Sequence, residues 1–544
     1  MKIRYSVPIV IICSFISILF HNFNASAFVP PNAKGIALGG EVGVTVRGAE
    51  AVGWNPAFLG FEDNPRMVIT SPLLSTGLHF YNNSFSVSTI NTYFQQDKFL
   101  DESDKKEILD LVDEDGLLIH NDVFVPAIGF SFPTAFLNMS LNFNTMSITD
   151  ARLDKDFIRV ALKGYGYEHL GEVASFDDME MTSANFGRIS LTGAKRFEEM
   201  GFVDETGFIN EFTAGFTFSY FMGFAYVDLI EANASLYADY GEFDGNGLAE
   251  IVSSFGGNGV GLDLGMGFKF ANRRGIYGVS IINAINKIHW TDCDRRLYSF
   301  DTDFVTYLGD PVPGPSLQGM EDVDAWIEKN FNTVDSLSEG EEVTVSLPSS
   351  LLMSMGWWLR EDLLASGAVR QGLNEAAGNT SVPGLSAGIE YLIHPKFPLR
   401  AGMGFDHRGG TSFGFGSGMR IGTWRTDVGF SYRNGLFNYS NGFTFGISTS
   451  FVMGQPETDP FKTKRYWENK AESLREAILG GNPDKEYPDD LPPRMQDLLK
   501  GSAKSTEEEQ VEEVEEEEEP NEEKPKKKTT KKKRKKKAPT KKKP

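Results

Sequence analysis

The sequence predicts an all-β protein, a transmembrane antiparallel β-barrel. Three observations point there. The N-terminus has the pattern of an export signal, and the mature chain has no further apolar run of the about 20 residues that a membrane helix needs. The body alternates apolar with polar or glycine residues over segments as long as a membrane crossing by a strand. Aromatic residues gather near the ends of those segments, as at the two interfaces of a bilayer.

Residues 1–27 read as a signal peptide. Lys2 and Arg4 form a positive start, Tyr5 to Phe20 is almost wholly apolar, and Ala25-Ser26-Ala27 supplies a small-x-small cleavage site. Cleavage makes Phe28 the mature N-terminus and leaves Cys293 as the single cysteine. An oxidising compartment is then permitted, with no internal disulfide to exploit it.

The strands announce themselves by period. Leu137, Met139, Leu141 and Phe143 alternate with asparagine and serine. Phe212, Ala214, Phe216, Phe218 and Tyr220 alternate with threonine, glycine and serine, and Val260 to Phe270 alternates with glycine, Asp263 and Lys269. Val428-Gly-Phe430-Ser-Tyr432 and Phe443-Thr-Phe445-Gly-Ile447 repeat the pattern near the C-terminal end. A soluble sandwich shows the same alternation with its apolar face packed inward. Strand lengths of about 9–11 residues or more, and a second face rich in Gly, Ser, Thr and Asn, favour a barrel with a wet or plugged lumen. Trp290, the Trp357-Trp358 pair, Trp424 and Tyr432 are the expected interface aromatics. A closed barrel also leaves no unpaired strand edge in lipid. Thr444-x-Gly446-x-x-Thr449-x-Phe451 has the form of a terminal barrel strand, and strand alternation stops after Met453.

Ahead of the first strand lie Gly35-Ile-Ala-Leu38-Gly39-Gly40 and then Trp54-Asn55-Pro56-Ala57-Phe58-Leu59-Gly60. This resembles the start of the FadL-like superfamily of bacterial outer-membrane proteins, including long-chain fatty-acid channels and PorV-type secretion proteins. Trp54, Asn55, Pro56, Ala57 and Leu59 match its Trp-Asn-Pro-Ala-Gly-Leu-like element, Phe58 replaces the usual glycine, and Glu41 to Arg47 lacks the acidic pair often seen there. The resemblance implies a lumen hatch or plug at 28–66, about 14 strands between 67 and 453, and a gating role for the five matching residues. On chemistry alone, Pro56 removes a donor and holds Asn55 extended, while the Asn side chain bonds neighbouring backbone. A plain turn into the first strand would use the same residues.

Asp101 to His120 and Glu321 to Glu342 contain acidic, helix-compatible stretches, suited to the long extracellular connections of a bacterial barrel. Residues 454–505 form a periplasmic helical extension, with Asp459-Pro460 at a helix start and Trp467, Ala471, Leu474 and Ile478 on one face. Residues 506–544 form a disordered tail: Glu507 to Glu523 carries 12 acidic residues and no basic ones, and Lys524 to Pro544 carries 14 basic and no acidic ones.

The chain totals 544 residues with a formal net charge of −22, which argues against nucleic acid as a partner. Its seven histidines show no metal-binding spacing, and no cofactor or nucleophile-elbow motif occurs. Gly414-Phe-Gly416-Ser-Gly418 reads as strand glycines that relieve crowding inside the lumen, not as a phosphate loop, and Glu242 to Gly247 as a turn, not a calcium loop. His407 and Arg408 fall at an expected turn. The expectation is therefore a non-enzymatic protein of the outer membrane, contacting its lipid and passing hydrophobic or amphipathic small molecules through a plugged lumen. The alternative is a PorV-like structural or secretion-associated barrel whose periplasmic tail docks an envelope partner.

Overall fold

The alternation seen in the sequence runs through an antiparallel sheet that closes on itself as a 14-strand barrel. The computed structural model describes residues 32–454, except 41–42, 72–74, 95–97, 165–168, 198–199, 204–207, 240–241, 306–331, 335–339, 375, 377–381 and 407–409. The signal peptide, the helical extension and the charged tail lie outside the described residues, as do His407, Arg408 and most of the second acidic stretch.

Strand β1 is Met67–Thr70 continued by Thr76–Asn82, followed by β2 (Leu117–Pro133), β3 (Asn138–Leu153), β4 (Glu180–Phe197) and β5 (Ile209–Asp239). Strand β6 is Glu242–Ser254 continued by Gly257–Phe270, then come β7 (Gly275–Val305) and β8, which is Glu341–Ser346 continued by Ser350–Arg360. The wall is completed by β9 (Leu363–Gly372), β10 (Gly384–His394), β11 (Phe397–Asp406), β12 (Gly410–Ile421), β13 (Trp424–Arg433) and β14 (Gly442–Met453). Each strand pairs with its predecessor, and β14 closes onto β1 through Met67↔Met453 and, further up, Phe80↔Phe443. Both ends of the sheet therefore meet at one rim. Short turns at 134–137, 271–274, 361–362, 395–396 and 422–423 sit at that same rim.

Burial decides between a sandwich and a membrane barrel. Phe130, Leu141, Leu191 and Phe218 are successive cross-strand partners, and all four are exposed on the outside. The opposite face is the buried one, and it carries Ser190, Thr192, Thr213, Thr217 and Asp263, each fully buried. A soluble sandwich would have these two faces the other way round. Among the described residues, no helix is long and apolar enough to cross a membrane.

Aromatic rings run along the outside of the short-turn rim. Phe197, Phe212 and Phe268 follow one another at centroid spacings of 5.6 and 4.9 Å, Phe208, Phe270 and Trp357 at 5.6 and 5.7 Å, and Trp424 meets Phe451 at 6.2 Å. Trp357 and Trp424 thus stand where interface aromatics were expected. Trp290 does not. It is fully buried on the inner face, stacked on Tyr226 at 5.1 Å and lodged against Gly223 and Gly257. Two extra residues on β7 between Ile281 and Ile285 leave its even-numbered positions facing inward, so Trp290 shares the inner face with Ser280 and Ile288.

The upper end is uneven. β5 and β7 each run for 31 residues, and Glu242–Ser254 of β6 rises between them. The Glu242 to Gly247 motif is therefore paired strand, not the expected turn. The expected acidic helix is present at Glu102–Leu111, its first turn held by reciprocal bonds between Asp101 and Asp104, with Ile108 and Leu109 buried.

Candidate functional site

Much of the described part of 32–64 packs against the inner face of the strands, which is shaped to receive it. A short helix, α1 (Ala33–Ala37), is capped by the Asn32 side chain, which accepts from Lys34 N–H at 2.9 Å. Its backbone rests on glycines of the far wall. A Cβ on Gly414 would stand 2.2 Å from Ile36 O, one on Gly429 2.1 Å from Ala33 O, and one on Gly416 2.5 Å from the Ala37 methyl. The glycine-rich run of β12 is thus the floor on which α1 lies.

The second contact is the Trp54–Gly60 element. Trp54 is buried between Gly35 and Gly43, and its carbonyl accepts from Ser280 Oγ at 2.6 Å. Asn55 acts as expected within its own turn, its Oδ1 accepting from Ala57 N–H at 2.9 Å. Its Nδ2 goes further, donating to Met266 O at 3.0 Å and Val279 O at 3.2 Å on β6 and β7. Pro56 opens a 3₁₀ turn over Pro56–Gly60, and Ala57 and Leu59 are fully buried. Wall glycines again give the room: Gly265 faces Asn55, and Gly215 faces the Pro56 backbone. Phe58, the departure from the family pattern, stacks on Phe61 at 5.3 Å and fills the space left by Gly278 and Gly267.

Charges tie the same segment to the wall. Arg47 donates to both Asp63 oxygens at 3.0 Å and lies over the Phe58 and Phe61 rings. Lys269 of β6, nearly buried, reaches Asp63 at 2.9 Å and the buried Glu211 of β5 at 3.1 Å. Burial pushes the Asp63 carboxyl up, but Arg47 and Lys269 together hold it well below the usual carboxylate range. On the other side Lys34 bridges Glu50 at 2.5 Å and Asp427 at 3.7 Å, and Asp427 also accepts from Arg400 at 2.7 Å.

Above this segment the inner wall turns apolar. Phe186, Phe221, Tyr226, Ile288 and Trp290 form one buried cluster with Ile148 and Val252. Phe221, which interrupts the alternation of β5, belongs to it.

The sequence singled out Trp54, Asn55, Pro56, Ala57 and Leu59, and the structure places these five neighbours against the inner wall. Sequence reading missed Asp63, Glu211 and Lys269, which come together from three separate parts of the chain. An inward charge within an apolar alternation, as at Asp263 and Lys269, was the available signal. It also missed a group on β1 to β3, where strand register sets His79 beside Asp122 and His120 beside Asp150. His120-x-Asp122, two polar groups on one strand face, was its trace in the sequence.

Asn55→Ala removes three hydrogen bonds and takes the Asn55 acceptor from the buried Ala57 N–H, at about 1–3 kcal/mol. The undocked fraction of residues 32–66 is expected to rise by roughly one to two powers of ten, read by limited proteolysis of the intact barrel.

A family model described as "Family of unknown function (DUF5723)" matches residues 56–249 and 230–429. No curated protein matches the chain in sequence. Among solved structures the chain is similar to the Ralstonia pickettii toluene transporter TbuX, at 12% identity and a TM-score of 0.43, covering 78% of this chain and 98% of that one. It is similar also to the Pseudomonas putida toluene transporter TodX (9%, 0.43, 78% and 99%) and to a Pseudomonas aeruginosa FadL homologue (12%, 0.40, 78% and 99%). With its two matched stretches spanning well over half of the sequence, the chain belongs to the family of unknown function DUF5723.

Proposed function

We propose that this protein is an outer-membrane channel through which hydrophobic or amphipathic small molecules pass passively, gated by residues 32–66. The outward apolar rows and the aromatic belt at the short-turn rim support placement in a bilayer, with that rim on the periplasmic side. The inward apolar cluster around Phe221 and Trp290 supports a hydrophobic solute.

One observation carries the gating. Among the described residues, every hydrogen bond that joins 32–64 to the wall uses at least one side chain. The segment adds no strand to the sheet, so it can leave while the ladder of the barrel stays intact. Trp54, Asn55, Pro56, Ala57 and Leu59 are the latch, because they carry the bonds to Ser280, Met266 and Val279 and the seat at Gly215 and Gly265.

Two variants in proteoliposomes test this. Removal of residues 32–64 is expected to raise uptake of a fluorescent fatty acid. The pair Asn55→Cys/Gly265→Cys, oxidised, is expected to lower it, with recovery on reduction. Uptake equal to that of empty liposomes in every case, from barrels that keep their heat-dependent gel mobility, overturns the transport reading.

A further inference from the structure

We propose that the inner wall of β1 to β3 holds a divalent transition-metal site of the zinc class, with His79, His120 and Asp122 as ligands and Asp150 positioning His120. The residues come from three neighbouring strands, near the rim opposite the short turns. Register places all four on the inner face. His79 pairs with Thr444 on one side and Asp122 on the other, and His120 pairs with Asp150.

The distances suit a small ion. His120 Nε2 lies 2.7 Å and His79 Nδ1 3.5 Å from Asp122 Oδ2, and one ligand atom from each of the three residues lies within 4.8 Å of the others. Donors at about 2.0–2.1 Å around a tetrahedral zinc ion stand roughly 3.3 Å apart, so side-chain shifts of a few tenths of an ångström to about an ångström bring the three donors to bonding distance, with water as the fourth ligand. Two imidazoles and a carboxylate are a donor set that zinc-class ions take and that calcium and magnesium do not prefer.

Two further observations separate this group from an ordinary ion pair. His79 Nε2 and Asp122 Oδ1 are both buried with no hydrogen-bond partner, and the Asp122 side chain is only 5% exposed. Buried polar atoms left unpaired are costly, and two on adjoining side chains mark a place built for a further partner. The other nitrogen of His120, Nδ1, lies 2.8 Å from Asp150 Oδ1. A carboxylate on the distal nitrogen fixes the ring and its tautomer and directs Nε2 at the metal.

The test is zinc titration of the purified barrel in detergent by calorimetry, with calcium as the comparison ion. One zinc ion per chain is expected, and no calcium binding at the same concentrations. His79→Ala and His120→Ala should each abolish the stoichiometric event. Asp150→Asn should keep the stoichiometry and weaken binding about 10–100-fold. Cobalt titration gives a second readout, the visible spectrum of a four-coordinate site, lost in His120→Ala. Heat-dependent gel mobility reports that each variant is folded. No stoichiometric zinc binding by the folded parent, or binding unchanged in both histidine variants, overturns the site. Neither result bears on fatty-acid uptake, so this inference and the transport reading fail independently.

Discussion

Trp54→Ala is expected to free the N-terminal segment while leaving the barrel closed. The ring is wedged between two glycines, and a Cβ on Gly35 or Gly43 would lie 2.7 or 2.9 Å from it. The Arg370 guanidinium sits 6.0 Å from its centroid, and the remaining contacts join it to Leu38, Val44 and Phe58 in one buried cluster. Truncating a buried Trp costs about 3–5 kcal/mol, and here the loss falls on docking, because Trp54 lies outside the strands that form the ladder. Amide exchange of residues 32–64 should accelerate by two powers of ten or more, while that of β9 to β14 stays slow. Equal acceleration in both regions would show instead that the segment is part of the cooperative unit of the wall.

Lys269→Met is the second large effect. Lys269 is the cation shared by Asp63 of the inner segment and Glu211 of β5, and Glu211 is almost fully buried. Without Lys269, the remaining cation beside Glu211 among the described residues is Arg196, at 4.0 Å. Breaking a buried pair on one side costs about 3–5 kcal/mol, largely through the charge left behind. The double variant Lys269→Met/Glu211→Gln should recover part of the loss, measured by proteolysis of the segment and by the temperature at which the folded gel band disappears.

Acid tests the same bridge from the other side. Asp63 is held below an undocked carboxyl, which titrates near 4, so its contribution to docking is complete above about pH 4 and is lost progressively as the pH falls below that. Docking by this carboxylate should therefore be flat from pH 5 to 8. Asp63→Asn should remove the acid dependence along with the contribution.

Much of this was legible in the sequence because strand period is a local property. Phe216, Phe218 and Tyr220 announced an outer face and Thr213, Thr217 and Ser219 an inner one, and burial follows that division. The turn at Asn55-Pro56 was legible for the same reason, since its Asn–Ala57 bond spans two residues. What could not be read was register. Asn55 meets Met266 and Val279 more than 200 residues away, and His79 meets Asp122 only because β1 and β2 align at that pair. Trp290 shows the same limit from within a strand. Its ring fits inside because it pairs with Gly257 and lies beside Gly223 on the neighbouring strands, and that register is not written in the residues around it.

The three tall strands have a consequence for how anything arrives. β5 and β7 are 31 residues long where β9 and β11 are 10. The difference of about 20 residues is roughly 65 Å of strand. The rim opposite the short turns is a slope, with a paired screen on one side and a low sill on the other. With the short turns periplasmic, as proposed, bulky polymers at a cell surface would meet the screen, and a small solute sliding along the lipid headgroups would meet the sill first.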